Sequence, residues 1–508
     1  MYLGRRHGQA SEHGPICIAS ALTDVVAALV VFAAALGVYL RTMVPTVYNL
    51  DSAELTTGAY TLGIVHPPGY PTYLLLGKLF TYLPVGDIGY RLNIMSGFFG
   101  ALTVTCVYLI CRQLSCSAAA SAAAALLLAF SYFLWAGSVV AEVYTVHAAF
   151  LAAMLLLLFL WRRRRSPRLL FVLALLYGLS FGAHTSSLLL APGIAAFLLL
   201  NRDENHSLFL QTLGMFVFFL LGLVAFAYLP VRYLGGALNL TGWFDAQGVY
   251  HTADLTTWEG FRWFVSGELF RPLMFAYDIA GLTGEVLRYL GWLWGAFAGV
   301  GIVLGVVGLA EWARARPKDA AATGLLFLGP LLFFLDYGAV DKETMFLPTY
   351  VIWSLWVGAG SEVLFQELSS LVKAVSERPR YASAFAFTCL LVLVALPLGL
   401  NYQYMNVSWD RRSRDWAAEI LEEVEPDAIV LAWWTDVQPM VYLQQVEGVR
   451  PDVFILSRMA IGPVELAELL NSRIRTTPVY SANLDPVLSA RYDFQPQKRG
   501  YRLSLRTP

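Results

Sequence analysis

Long apolar runs separated by short polar connections dominate the chain from residue 25 to residue 400. Eleven of them predict membrane-spanning helices: 25–44, 93–111, 118–135, 144–161, 169–183, 187–200, 208–229, 286–312, 324–335, 347–364 and 384–400. About 20 apolar residues in a helix cross the ~30 Å hydrocarbon core, where each segment must satisfy its own backbone. Several runs are short, and their boundaries carry a latitude of a few residues. The pattern changes twice. The connection 45–91 is too apolar for a free loop, and it predicts a short helix over 53–62 and another over 70–83 at the interface. Beyond Arg411, helix-period and strand-period segments alternate: helix 416–424, strand 428–434, helix 437–446, strand 453–457, helix 464–473. That alternation predicts a small α/β domain.

Composition agrees. Of 508 residues, 57% are hydrophobic and 14% charged, where a soluble protein carries about 25% charge. The fold class expected is an all-α polytopic membrane protein with a small C-terminal α/β domain. The net charge of −1 gives no reason to expect a nucleic-acid partner; the lipid bilayer is the expected surroundings. Arg5, Arg6, Arg112, Arg162 to Arg165, Arg168, Arg202, Arg314, Arg316, Lys318, Lys373, Arg378 and Arg380 all fall on one side, which the positive-inside rule assigns to the cytoplasm. An odd number of spans then puts the C-terminus outside. The expected division is a cytoplasmic segment 1–24, a transmembrane domain 25–400 with external loops 45–91 and 230–285, and an extracytoplasmic domain 401–508. The first helix reads as an uncleaved anchor, and short loops without sorting signals point to a bacterial plasma membrane. Cys17, Cys106, Cys111, Cys116 and Cys389 fit neither a zinc spacing nor a redox pair, and read as small buried hydrophobes.

Candidate chemistry gathers on the external side. Asp51 and Glu54 stand three apart and would share a helix face. Asp-x-x-Glu before an apolar run is a variant capping box, but carboxylates at a membrane rim are costly unless paired or used; a fixed carboxylate can be both cap and base. His66-Pro-Pro-Gly-Tyr-Pro71 stiffens the next turn, with His66 either structural or bound to a substrate hydroxyl or phosphate. Glu142 and Tyr144 open the fourth span, His184 closes the fifth, Arg232 closes the seventh, and Asp336, Asp341 and Glu343 lie between the ninth and tenth. Interhelical hydrogen bonding explains any one of them. Their common end of the bundle is what a site looks like. The tail has no glycine-rich phosphate loop and no metal-spaced cluster.

Asp51-Ser-Ala-Glu54, His66-Pro-Pro-Gly, Arg91-Leu-Asn93, Glu142-Val-Tyr144, His184-Thr and Leu229-Pro-Val-Arg232 occur in the order found in glycosyltransferase family 117. That family includes an endoplasmic-reticulum protein O-mannosyltransferase of animals, and the resemblance is strongest over 21–232. It implies the GT-C superfamily: a polytopic enzyme using a polyprenyl-phosphate-linked sugar donor, with mannose the family-level sugar and a protein or glycan hydroxyl as acceptor. One departure bears on the acceptor: the animal enzyme continues into helical repeats, whereas this chain ends in an α/β segment. The roles expected are Asp51 as general base, Glu54 orienting the acceptor or sharing that role, and Arg232 with His66 or His184 on the phosphate. Arg91 is expected near the donor, with Glu142, Tyr144, Asn93 and Asp341 as polar support. No cofactor is required by this scheme, and a divalent ion stays open. The rival readings are a transporter or flippase and a non-catalytic scaffold. Transporters tend to show repeated halves and broken helices around a midplane site, neither of which is visible here.

Overall fold

The structure is a computed structural model that describes residues 18–202, 208–375 and 379–506; Arg5, Arg6, Cys17 and Arg378 lie outside them. All eleven apolar runs are helical, and the protein is an integral membrane protein built mainly of helices. In chain order these are α1 (Ile18–Thr42), α2 (Asp51–Thr61), α3 (Pro71–Phe80), α4 (Ile88–Gln113), α5 (Ala118–Ala129), α6 (Tyr132–Ser138) and α7 (Val143–Arg164). Then follow α8 (Pro167–Phe181), α9 (Ala191–Leu200), α10 (Leu208–Leu223), α11 (Tyr228–Leu234), α12 (Trp258–Val265), α13 (Ile279–Ala296) and α14 (Val300–Ala315). The last long helices are α15 (Pro317–Leu335), α16 (Leu347–Val375) and α17 (Pro379–Met405).

Two predicted spans are sharply broken. α5 and α6 meet at a 65° bend, and α13 and α14 at 102°. The second break falls where Ala298 and Gly299 take φ of 50° and 70°, left-handed values that end a right-handed helix. Among the described residues, six helices alone are long and apolar enough to cross a membrane, and up to eight when each bent pair counts as one span. α8 and the segment Thr185–Leu200 are shorter apolar pieces.

α16 is the bundle's axis, buried without interruption from Leu347 to Ser361. It meets α14 at backbone distance: a Cβ on Gly308 would lie 1.8 Å from the Trp356 carbonyl oxygen, and one on Gly360 would lie 2.0 Å from that of Leu304. Small residues allow this in a bundle whose surroundings are as apolar as its core. The outer faces of α1, α10 and α17 expose Val25, Leu29, Phe216, Leu221, Val392 and Leu400, a surface suited to lipid. At one end of the bundle the basic connections tie together. Arg112 Nε donates to Asp24 Oδ1 at 2.8 Å, Arg162 pairs with Asp319, and Arg316 Nη2 donates to the Leu114 carbonyl at 3.0 Å.

At the opposite end lie α2, α3, the connection between α11 and α13, and the C-terminal domain. That connection carries a short hairpin of β1 (Trp243–Phe244) and β2 (Tyr250–His251). The domain comprises α18 (Arg412–Glu423), β3 (Ile429–Ala432), α19 (Trp434–Val446), β4 (Phe454–Ser457), α20 (Pro463–Arg473), β5 (Val479–Ser481), α21 (Pro486–Ser489), β6 (Tyr492–Pro496) and β7 (Tyr501–Leu505). Its sheet has the order β4-β3-β5-β7-β6, with β4, β3 and β5 parallel and β7 and β6 antiparallel. Val430 and Ala432 pack under α18 and α19, while Ile429 and Leu431 pack under α20 and α21; both faces are covered, which is why this strand reads as an unbroken apolar run. The last three strands escape the sequence reading: β5 is buried but only three residues long, and β6 and β7 are short and partly exposed. α19 docks on α2, where Val47 and Ala53 join the core of α18 and α19, and the Gly89 amide donates to Tyr442 OH at 3.3 Å.

Candidate active site

α2 begins at Asp51 itself; Leu50 precedes it at φ 58° without a side-chain cap bond. The capping box is therefore not formed. Asp51 sits in the first turn, where the helix dipole favours a negative charge, and its side chain is 42% exposed towards the cavity described below. Glu54 turns the other way and is wholly buried. Its Oε1 accepts from the His66 amide at 2.8 Å, and its Oε2 bonds His66 Nδ1. Glu54 thus stands behind His66 rather than at an acceptor.

The turn that carries His66 is clamped at both ends. Ile64 exchanges backbone bonds of 2.8 Å with Leu238 and Leu240. Gly69 takes φ 87°, and a Cβ there would lie 2.8 Å from Leu229 Cδ2 and 2.9 Å from Phe264 Cε1. His66 Nε2 faces Tyr70 OH at 3.2 Å and Asp51 Oδ2 at 3.8 Å. Burial alone would lower the pKa of this imidazole, but the Glu54, Asp51 and Glu142 carboxylates lift it to about 9. Burial pushes Glu54 up, with His66 opposing. The pair holds a shared proton at neutral pH.

Glu142 approaches from the start of α7, its amide donating to Ser96 Oγ at 3.1 Å. Burial, with the Asp51 and Asp341 charges, holds its carboxyl well above the usual range. His184 lies across the cavity, its ring 5.6 Å from Tyr144 and 6.2 Å from Tyr70. Burial and the His66 charge lower it to about 4. Its Nδ1 accepts from the Ser186 amide at 3.2 Å, so the neutral ring carries its proton on Nε2 and can donate there.

These groups surround a cavity of about 1950 Å³. Asp51, His66, Tyr70, Tyr144, His184 and Asp341 form its polar part. Phe181, Leu188, Leu223, Phe226, Phe264 and Phe333 form an apolar arm, and Trp434, Gln438 and Ile455 bring in the C-terminal domain. Among the described residues, no arginine or lysine lines it.

The structure thus brings Asp51, Glu54, His66, Glu142, Tyr144, His184 and Asp341 together, and leaves three expected residues elsewhere. Arg232 donates to the Leu62 carbonyl at 2.7 Å and to that of Thr61 at 3.3 Å, tying down carbonyls at the end of α2 that have no partner within the helix. Arg91 donates to Thr81, Val85 and Gly86 carbonyls, closing the turn between α3 and α4. Asn93 Nδ2 bonds the Val44 and Thr46 carbonyls at 2.8 and 3.0 Å. Guanidinium chemistry suggested phosphate, but loop carbonyls claim these donors first. Sequence reasoning did not single out Tyr70, Phe270 and Trp434, whose rings surround His66, or His147, stacked 5.3 Å from His184. The spacing Tyr144-x-x-His147 on one helix face was the available signal for the last. Asp51, Glu54 and His66 offer ligand atoms within 4.8 Å of one another and could hold a metal ion.

The helical membrane bundle with its C-terminal α/β domain has a GT-C-type fold. The crystal structure of ArnT from Cupriavidus metallidurans bound to undecaprenyl phosphate matches with a TM-score of 0.60, covering 96% of this chain and 98% of that one at 12% identity. Residues 51–207 match the family model described as the protein O-mannosyl-transferase TMEM260 N-terminal domain. Protein O-mannosyl-transferase TMEM260 of Mus musculus is 27% identical over 460 residues, 84% of this chain and 62% of the relative. The Dictyostelium discoideum protein of the same description is 23% identical over 470 residues, 83% and 55%. The chain therefore spans less than two thirds of either relative.

Proposed function

We propose that the chain is a membrane glycosyltransferase that moves a monosaccharide, mannose by relationship, from a polyprenyl-phosphate donor to a protein or glycan hydroxyl. The observation that carries this is the half-exposed Asp51 beside the buried Glu54–His66 pair, in a cavity that continues into an apolar arm. A carboxylate free to meet an acceptor, a fixed cation and a lipid-sized groove are what such a transfer requires. The relatives' names and the undecaprenyl phosphate in ArnT point the same way.

Asp51 takes the acceptor proton as the hydroxyl oxygen bonds the anomeric carbon. The bond from that carbon to the phosphate oxygen breaks, the configuration inverts, and polyprenyl phosphate leaves with one more negative charge. The His66 imidazolium meets that charge, held in place by Glu54, and the His184 Nε2–H donates to the phosphate or sugar. Tyr144 and Asp341 support the sugar. The basic end of the bundle faces the cytoplasm, and the cavity opens on the other side of what we take to be a bacterial plasma membrane.

The transfer as written needs no cofactor. A divalent cation is the second reading, favoured by one observation: Asp51 and Asp341 line a cavity that, among the described residues, has no lysine or arginine. Asp51, Glu54 and His66 would hold the ion, which would offset the phosphate charge. Purified protein given a panel of polyprenyl-phosphate monosaccharides, with cell extract as acceptor source, should release free lipid phosphate from one of them. Chelator sensitivity separates the metal-assisted form from the metal-free one. Release from none of the donors would replace transfer with the transporter or flippase reading.

A further inference from the structure

The C-terminal sheet has two edge strands, β4 and β6, and the β4 edge is part of the cavity wall. β4 pairs only with β3, and the ladder fixes which way its groups point. The Phe454 amide donates to the Ala428 carbonyl, and the Arg458 amide to that of Ala432, both at 2.8 Å. With a two-residue repeat, Phe454, Leu456 and Arg458 turn their backbone groups to β3, while Ile455 and Ser457 turn theirs away. The Ser457 carbonyl is taken by the Ala460 amide at 3.0 Å. The Ile455 amide, the Ile455 carbonyl and the Ser457 amide have no partner among the described residues.

Folded proteins protect such an edge with charge, proline or a covering segment. The sequence Val453-Phe454-Ile455-Leu456-Ser457 has neither charge nor proline, and Val453, Ile455 and Ser457 line the same cavity as Asp51 and His66. A second observation is independent of the strand. Gln438, in the first turns of α19, is 2% exposed and lines this cavity, and its Oε1 has no partner. Trp434, at the start of α19, bridges the two regions with its ring 6.4 Å from that of His66.

We propose that the open edge of β4 docks an extended stretch of polypeptide, which adds as a further strand and brings a serine or threonine hydroxyl to Asp51. Backbone donors and acceptors that recur every second residue, about 6.6 Å apart, match another β-strand; a glycan offers no such repeat. Strand addition supplies affinity through main-chain bonds and leaves side-chain choice loose. The Gln438 Oε1 takes a donor from the same peptide. The delivery step rests on the transferase reading above, whereas the docking itself does not.

The test uses the full chain in detergent and fluorescent 12-residue peptides, each with one serine or threonine, with binding read by anisotropy. The tightest binder is then N-methylated one residue at a time. Strand addition predicts a two-residue pattern, with alternate positions weakening binding by about 5–10-fold, the size of one backbone hydrogen bond. Ile455→Pro, which deletes an outward donor on an edge strand where proline is tolerated, should weaken the parent peptide by a similar factor. Donor turnover by the wild type is read in parallel. No peptide binding, or binding indifferent both to N-methylation and to Ile455→Pro, overturns the docking site, whether or not donor is consumed. Patterned peptide binding with no sugar transfer keeps the docking site and removes the transferase reading.

Discussion

His66 is where burial and charge compete most directly. Its pKa of about 9 against an ordinary 6.5 means that the folded protein holds this proton more tightly than the unfolded chain does. The His66 contribution to stability is therefore complete below about pH 6.5 and is lost as pH rises through about 9. Thermal stability should fall across that window, and Glu54→Gln, which removes the main partner, should move the loss to lower pH. An NMR titration of the His66 ring checks the shift directly; an apparent pKa near 6.5 would contradict it. Arg232 makes the opposite point about reading roles from residue type. Because it holds the end of α2 through two half-buried carbonyls, Arg232→Ala should destabilise by about 0.5–1.5 kcal/mol, the net worth of a typical hydrogen bond. Donor affinity, measured by titration, should change much less than the melting temperature. The acidic and histidine positions were legible because such groups are expensive at a membrane rim. Arg91, Asn93 and Arg232 were misleading because nothing in a sequence shows which backbone carbonyls lack partners.

Among the elements, the turn between α2 and α3 carries the most constraint. Gly69 has a left-handed φ of 87° and contacts Leu229 and Phe264. Gly69→Ala should cost about 1–3 kcal/mol in backbone strain and displace His66 from Glu54, so turnover should drop more than tenfold even at temperatures where the variant stays folded. Unchanged turnover would show that the turn does not position His66. Apolar periodicity announced every spanning run, because lipid demands a continuous apolar length. It did not announce the 102° break between α13 and α14, which one glycine and one alanine in left-handed conformation produce. Nor did it reveal β5 to β7: β5 is buried but only three residues long, and β6 and β7 are partly exposed and leave little alternation to read.

At the scale of the whole molecule, the C-terminal domain is a wall of the cavity rather than an appendage. Tyr442 is buried in the contact between α19 and α2 and receives the Gly89 amide. Tyr442→Ala should cost about 3–5 kcal/mol, as other large aromatic deletions do, and should lower turnover by loosening the wall that carries Trp434 and Gln438. Scanning calorimetry beside a turnover assay checks both; a stability loss with full turnover would detach the domain from catalysis. The domain's first three helices and first two strands were visible in the sequence, but α21 and the docking on α2 were not; that interface uses small apolar residues such as Val47 and Ala53. What the whole assembly builds is a half-exposed carboxylate beside a largely buried imidazole, both lining one cavity. The most direct measurement is donor affinity and lipid-phosphate release side by side for wild type and Asp51→Asn. The account predicts a 10²–10⁴-fold loss of release, the usual worth of a positioned base, with donor affinity and melting temperature nearly unchanged. Full release by Asp51→Asn, or a collapse of folding in its place, would contradict the assignment of Asp51 as the base.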